Sequence, residues 1–150
     1  MVDSIVLQLD LCLRIGIAAI LSGIVGYNRE RHDRPAGLRT HILVGVGSAL
    51  FTVLSINAFG NGDPGRVAAQ VVVGIGFLGA GSIFRRGSRD IHGLTTAADI
   101  WAVAGIGMAC GVGYYVLAIF AAVLTWFTLA ILKRLDRNVS PQPPEKTNVQ

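Results

Sequence analysis

Long runs of apolar residues alternate with short charged segments along the whole chain. A membrane-spanning helix needs about 20 predominantly apolar residues, because each residue adds about 1.5 Å toward a hydrocarbon core of about 30 Å. The runs that approach or reach this length are residues 5–27, 42–59, 67–84, 94–113 and 114–132. The pattern therefore predicts an all-α membrane protein, built as a bundle of five transmembrane helices.

The boundary between the last two predicted spans depends on two glycines. Gly111 and Gly113 lie in the run GMACGVGYY and are natural turn residues, so they are expected to separate two helices. A four-span topology, in which one of these two segments lies in the membrane interface, is the alternative.

The basic residues indicate an orientation. They occur after the first and third spans and after the last, at Arg29, Arg31, Arg34, Arg39, Arg85, Arg86, Arg89, Lys133, Arg134, Arg137 and Lys146. The connections on the opposite side carry only Arg66. The positive-inside rule then places the N-terminus outside and the C-terminus in the cytoplasm. This partition requires an odd number of spans and favours five over four.

The composition supports lipid as the solvent of most of the chain. Of its 150 residues, 52% are hydrophobic and 15% are charged, whereas soluble domains average about 25% charged residues. Residues 1–134 are therefore predicted to form one transmembrane domain, and the polar, proline-rich residues 135–150 a disordered cytoplasmic tail. We expect no nucleic-acid-binding protein, since the basic residues form short clusters between apolar runs. We expect no enzyme either, since the chain has no Ser/His/Asp order, no HExxH motif and no Walker lysine.

Small residues four positions apart predict the contact faces between helices, because close packing drives helix association in lipid. The candidate packing residues are Gly23, Gly76, Ala80, Gly105 and Ala109. They predict a bundle centred on the first, third and fourth helices, with the second and fifth more peripheral.

Polar side chains at membrane depth are the candidate functional residues, because burying a charge there costs up to about 3 kcal/mol. Asp10 and Arg14 are four positions apart on one helix face. They are expected to form either a self-neutralising pair near the outer interface or, together with Gln70 and Arg66, an entry site for an ion or substrate.

A second polar group is expected near the cytoplasmic side. Arg39, Thr95, Thr96 and Asp99 should lie at similar depth, together with Glu30. An Arg39–Asp99 ion pair with a structural role and a functional polar site are both open interpretations. The histidines and cysteines fit no catalytic or metal-binding spacing, so no catalytic, metal or cofactor-binding residue is predicted.

Three segments together resemble a known family. They are PAGLRTHILVGVGSALF (35–51), RVAAQVVVGIGFLGAGSI (66–83) and GLTTAADIWAVAGIGMACG (93–111), and they are similar to the MgtC/SapB family of bacterial inner-membrane proteins. The resemblance implies a multi-pass protein involved in adaptation to low magnesium and, in pathogens, in virulence and survival inside macrophages. It also implies other inner-membrane proteins as partners, among them the ATP synthase.

The sequence departs from the virulence-type members of that family in a few places. Those members carry an Asn at the position of Thr95, a Cys at Ala102 and a neutral residue at Asp99, and a soluble domain follows their membrane part. The departures favour a housekeeping or stress role over a virulence role.

Three hypotheses about function follow. The first is a non-enzymatic regulator that binds other inner-membrane proteins and modulates ion homeostasis. The second is a small oligomeric transporter or channel for Mg²⁺, with Asp10, Gln70 and Asp99 along its path. The third is a structural membrane protein without a ligand; a homo-oligomer fits each of them.

Overall fold

The computed structural model describes residues 2–58, 63–86 and 90–132. Its helices are α1 (Val2–Glu30), α2 (Leu38–Asn57), α3 (Pro64–Gly81), α4 (Leu94–Val112) and α5 (Tyr115–Phe127), and a π-helical turn (Thr128–Leu132) continues α5. The helical fold class is confirmed. One element was not predicted, a short antiparallel hairpin of β1 (Phe84–Arg86) and β2 (Asp90–His92) that joins α3 to α4. The predicted tail, 135–150, lies outside the described residues.

The helix ends follow local chemistry. Glu30, the last residue of α1, accepts a hydrogen bond from the backbone N–H of Leu38 at 2.7 Å and so caps α2. Asp63 accepts one from Gly65 at the start of α3, where Pro64 occupies the first turn. Gly113 ends α4 with φ of +93°, as predicted. Gly111, in contrast, lies inside α4.

The lengths of the helices bear on the number of spans. In the described part of the chain, α1, α2 and α4 are long and apolar enough to cross a membrane, while α3 and α5 form shorter apolar helices. Residues 2–58, 63–86 and 90–132 therefore form five apolar helices, of which three are candidate membrane spans on length and composition alone.

The centre of the bundle is α2, which packs against both α1 and α4, while α3 and α5 flank them. Close approach of α2 and α4 depends on glycine. A Cβ atom on Gly107 would collide with the carbonyl oxygen of Gly45, and one on Gly111 would lie 2.8 Å from the carbonyl oxygen of Ala49. Both glycines are buried, and they let the two backbones touch.

The prediction that α1, α3 and α4 form the centre is therefore wrong. Among the described residues, a Cβ atom on Gly76 or Gly105 would meet nothing within 4 Å, and Ala80 is exposed, so none of these three residues marks a close contact between helices. Gly23 lies beside Ile42 of α2, and Ala109 is half-buried against the core. The physical reason is that a glycine-rich helix carries small residues on several faces, and their spacing does not identify the face that has a partner.

Candidate functional site: a buried charged cluster

Four polar side chains from three helices meet inside the bundle, and we call them the charged cluster: Arg29, His41, Thr96 and Asp99. Nε of Arg29 lies 2.5 Å from Oδ2 of Asp99, and Nη2 of Arg29 donates a hydrogen bond to Oγ1 of Thr96 at 2.8 Å. Nε2 of His41 lies 3.4 Å from Oδ1 of Asp99. All four residues are buried. Each helix at the centre of the bundle thus contributes at least one polar group.

Each side chain of the cluster continues a buried stripe on its helix. On α1 the stripe runs through Ala18, Ser22 and Val25 to Arg29, at the spacing of one helix face. On α4, Thr96 and Asp99 are three positions apart and therefore lie on the same face. The cluster is consequently the polar end of the same faces that hold the bundle together.

His41 reaches the cluster because α1 and α2 come very close at this point. A Cβ atom on Gly26 would lie 2.7 Å from Cβ of His41 and 3.0 Å from Cα of Leu38, so only glycine fits there. Nδ1 of His41 lies 2.8 Å from the carbonyl oxygen of Gly37. A carbonyl oxygen can only accept, so Nδ1 carries a proton and Nε2 is the nitrogen that faces Asp99.

A second charged group lies at the other end of the bundle. Arg14 pairs with Asp10 at 2.7 Å and also donates to the carbonyl oxygens of Gly111 and Val112, at 3.1 and 3.2 Å. These carbonyls belong to the last turn of α4 and have no partner within that helix. Arg14 therefore links α1 to the C-terminal end of α4, where a positive charge also complements the helix dipole.

The structure separates the residues that the sequence grouped as an entry site. Gln70 lies on α3, where it lines a cleft toward α2, and none of the described hydrogen bonds or ion pairs joins it to Asp10 or Arg14. Arg66 is exposed near the start of α3. Asp10 and Arg14 do form the predicted pair, but its further partner is the end of α4.

Of the two open interpretations of the cytoplasmic polar group, the Arg39–Asp99 ion pair is wrong. Arg39 is exposed, and the arginine that neutralises Asp99 is Arg29. Of the two threonines, Thr96 belongs to the cluster and Thr95 is exposed. The physical reason is that α1 continues to Glu30, which carries Arg29 inward on the buried stripe instead of leaving it in a loop.

Sequence reasoning missed Arg29 and His41. The charge pattern places Arg29 among the basic residues that follow the first span, and His41 is one of the histidines whose spacing fits no site. A signal for Arg29 existed, since it lies seven positions after the buried Ser22 and thus extends the small-residue stripe of α1. A buried carboxylate also demands a nearby cation, and α1 supplies the one that faces it.

The charged cluster is suited to holding helices in register. The carboxylate of Asp99 lies between the guanidinium of Arg29 and the imidazole of His41, so both of its oxygens face partners within the same chain. Truncating one partner of such a pair leaves an uncompensated buried charge, whereas removing both is much less damaging. The arrangement therefore couples α1, α2 and α4.

Comparisons with known proteins bear on the identity of the chain. The model of the MgtC family matches residues 15–138. Among curated proteins, the "Putative magnesium transporter YhiD" of Escherichia coli K12 is 46% identical over 134 residues, covering 84% of this chain and 62% of its own length. The "Protein MgtC" of Brucella abortus is 49% identical over 114 residues, covering 76% of this chain and 46% of its own length.

A third relative is similar over nearly the whole chain. The "Protein SapB" of Bacillus subtilis is 35% identical over 149 residues, covering 94% of this chain and 64% of its own length. The chain thus spans between about half and two thirds of the length of these curated relatives. No solved structure matches it.

Proposed function

This chain belongs to the MgtC family, and from that premise we propose that it is a multi-pass protein of the bacterial inner membrane that regulates other membrane proteins during adaptation to low magnesium. The names of its relatives support the link to magnesium, since one is called a putative magnesium transporter and others MgtC. The regulatory role rests on the structure of the charged cluster.

We take all five helices to span the membrane. α3, and α5 together with its π-helical turn, each extend for about 27 Å, close to the hydrocarbon thickness of about 30 Å. α5 also exposes most of its large apolar side chains, including Val116, Phe120 and Val123, as expected for a helix that faces lipid. The basic connections then face the cytoplasm, the N-terminus lies outside and the C-terminus inside.

The observation that carries the regulatory proposal is that Asp99 is neutralised inside the bundle. Its carboxylate contacts Arg29 and His41. The other acidic residue proposed for a transport path, Asp10, is paired with Arg14 at the opposite end, and Gln70 lies in a separate cleft between α2 and α3. The three candidate path residues lie in three places. Asp99 joins α4 to α1 and α2, and Asp10 pairs with Arg14, the side chain that links α1 to the end of α4. Such a bundle is a rigid scaffold whose outer apolar faces remain available to partner helices.

The test removes the charges but keeps the scaffold. In a strain deleted for the gene and grown at limiting magnesium, we expect the double variant Arg29→Met with Asp99→Leu to restore growth as the wild type does, because it removes both partners of the buried pair. The single variant Asp99→Leu should fail, because it leaves Arg29 buried without a counter-charge. A transporter that requires the Asp99 carboxylate would lose activity in both variants.

Two further measurements accompany the growth assay. Proteoliposomes that contain the purified chain and an internal Mg²⁺ indicator should show no uptake above protein-free vesicles. Affinity capture in mild detergent should recover the same inner-membrane protein with the wild type and with the double variant. Mg²⁺ uptake that the double variant abolishes would refute the regulatory proposal.

A further inference from the structure

An open cleft lies between α2 and α3, away from the charged cluster. It is bounded by Thr40 and Phe51 on α2 and by Val67 and Leu78 on α3, and its volume is about 570 Å³. Its lining is almost entirely apolar. We call it the α2–α3 cleft. It arises because α3 packs against α4, where Gly79 meets Ala97, and leaves part of α2 uncovered.

The size of the α2–α3 cleft discriminates between occupants. A helix about 10 Å in diameter and as long as α3 occupies about 2000 Å³, which exceeds the space in the cleft, so the cleft cannot enclose one. A single hydrocarbon chain is narrow enough to lie in it lengthwise. The cleft also contains two glycines, Gly47 and Gly74, on which a Cβ atom would meet nothing within 4 Å. Both positions thus widen the slot for a linear, apolar occupant.

The length of the α2–α3 cleft points to the same occupant. From Thr40 to Phe51 the lining extends along α2 for about 17 Å. One leaflet contributes half of the hydrocarbon core, about 15 Å. On α2 the lining begins in the first turn and ends about one leaflet deep, which matches the chain of a lipid from that leaflet.

The end where the cleft begins is the basic end of the protein. Gly93, at the start of α4, touches the carbonyl of Ser82 at the end of α3, and Asp99 touches His41 of α2, so these helix ends lie together. Arg39 directly precedes Thr40 and is exposed there. The loop residues Arg31 and Arg34 are exposed at the same end, after α1. Basic residues beside a groove between membrane helices favour anionic lipid head groups.

We propose that the α2–α3 cleft binds one acyl chain of an anionic phospholipid from the cytoplasmic leaflet, whose head group pairs with Arg39. The choice of the cytoplasmic leaflet rests on the proposed orientation. The assignment is otherwise independent of the regulatory role, because it concerns a face of the bundle that contains none of the charged cluster. It also gives a reason why α3 can stand away from α2 without leaving a void, since packing defects in membranes are filled by lipid.

The central test uses two glycines of the same helix. Gly74 lines the cleft and Gly76 does not, and a Cβ atom on either would meet nothing within 4 Å. Native mass spectrometry of the detergent-purified chain, with added phosphatidylglycerol, should show one retained lipid for the wild type and for Gly76→Leu. Gly74→Leu should lose that lipid, because leucine fills the slot. Equal retention by the two variants would overturn the proposal.

The head group is tested by lipid class and by Arg39. Phosphatidylcholine, which has no net charge, should be retained less than phosphatidylglycerol by the wild type. Arg39→Gln should weaken phosphatidylglycerol binding about fivefold, the effect of one arginine near an anionic surface. Arg66→Gln, at the other end of the bundle, is the matched control and should leave binding unchanged. Equal retention of the two lipids would overturn the head-group assignment.

The occupant in cells is identified by photo-crosslinking from the cleft. Leu43 lines the cleft and is 71% exposed, so a photoreactive amino acid fits there without disturbing the core. We expect the chain to gain the mass of one phospholipid after illumination. A crosslinked second copy, or a crosslinked different polypeptide, would overturn the proposal in favour of a protein interface.

Gln70 supplies a test of opposite sign. It lies on the cleft wall toward the end away from Thr40, where the last carbons of an acyl chain would lie. An amide facing hydrocarbon is unfavourable, so Gln70→Leu should increase phosphatidylglycerol retention. If the bound molecule instead accepted or donated a hydrogen bond at the amide of Gln70, Gln70→Leu would reduce its retention. Reduced retention of phosphatidylglycerol would therefore contradict an acyl chain in the cleft.

Discussion

Nε of Arg29 lies 2.5 Å from Oδ2 of Asp99, and this contact joins the last turn of α1 to the second turn of α4. The two side chains are 6% and 1% exposed, so water hardly screens them. Removing two charges from water costs several kcal/mol each, and the pair must offset this through its mutual attraction and its hydrogen bonds. Removing one partner should therefore lower the stability of the fold strongly, whereas removing both should lower it little.

We expect Asp99→Leu to lower the free energy of unfolding by about 3–5 kcal/mol, because it leaves the guanidinium of Arg29 buried without a counter-charge. The double variant Arg29→Met with Asp99→Leu should recover most of that loss. Denaturant titration in detergent micelles, followed by circular dichroism, measures both. If the double variant were as unstable as the single one, the pair would not be the source of the effect.

The pair of Asp10 and Arg14 is the matched control for that experiment. Its carboxylate is 43% exposed, and exposed pairs contribute about 0–1 kcal/mol. Asp10→Leu should therefore lower the free energy of unfolding by less than about 1 kcal/mol. A loss as large as that of Asp99→Leu would show that exposure does not explain the difference between the two pairs.

Glycine substitutions on α4 should separate its packed face from its open face. Gly107→Ala should destabilise the bundle by about 1–3 kcal/mol, because the new methyl group would collide with the backbone of α2 at Gly45. Gly105→Ala changes the same residue type two positions away, where a Cβ atom meets nothing within 4 Å, and should be neutral. Similar unfolding curves for the two variants would contradict the central position of α2.

The class of fold could be predicted because it depends on a single quantity, the length of each apolar run compared with the thickness of a bilayer. The break at Gly113 was also predictable, since a glycine with positive φ is what a helix end there requires. These features are local. They need no knowledge of which helix lies beside which.

Which helix packs against which could not be predicted, because contacts between helices are not a local property of the sequence. Lipid is as apolar as leucine, so a membrane helix carries no strong hydrophobic pattern that points to its neighbours. The small residues of α4 occupy both its packed face, at Gly107, and its open face, at Gly105. The burial of Arg29 could not be predicted from the positive-inside rule either. Counting positive charges treats every arginine near a helix end alike, although this one turns inward.

Arg14 leads to a prediction about the end of α4. Arg14→Gln should lower the free energy of unfolding by about 1.5–3 kcal/mol, the range for hydrogen bonds to a charged group. The carbonyls of Gly111 and Val112 would lose their donor, and the last turn of α4 would fray. Hydrogen exchange should therefore accelerate at the amides of Gly113 and Tyr114. In Arg14→Lys, which keeps the charge, these two amides should exchange more slowly than in Arg14→Gln. If the exchange rates in Arg14→Gln equalled those of the wild type, the contact of Arg14 would not hold the helix end.

The orientation leads to a prediction that labelling can decide. The starting chain has Cys12 replaced by Ser, and its remaining Cys110 is buried and should stay unreactive. A single cysteine is then introduced either at Arg34, between α1 and α2, or at Ala58, at the end of α2. Both positions are exposed. A membrane-impermeant maleimide added to intact spheroplasts should label Ala58→Cys and spare Arg34→Cys. Inside-out vesicles should give the reverse.

A third cysteine at Tyr114, between α4 and α5, should behave like Ala58→Cys if all five helices cross the bilayer. Labelling of Tyr114→Cys only in inside-out vesicles would mean that either α3 or α4 does not cross the bilayer, and it would overturn the five-span topology.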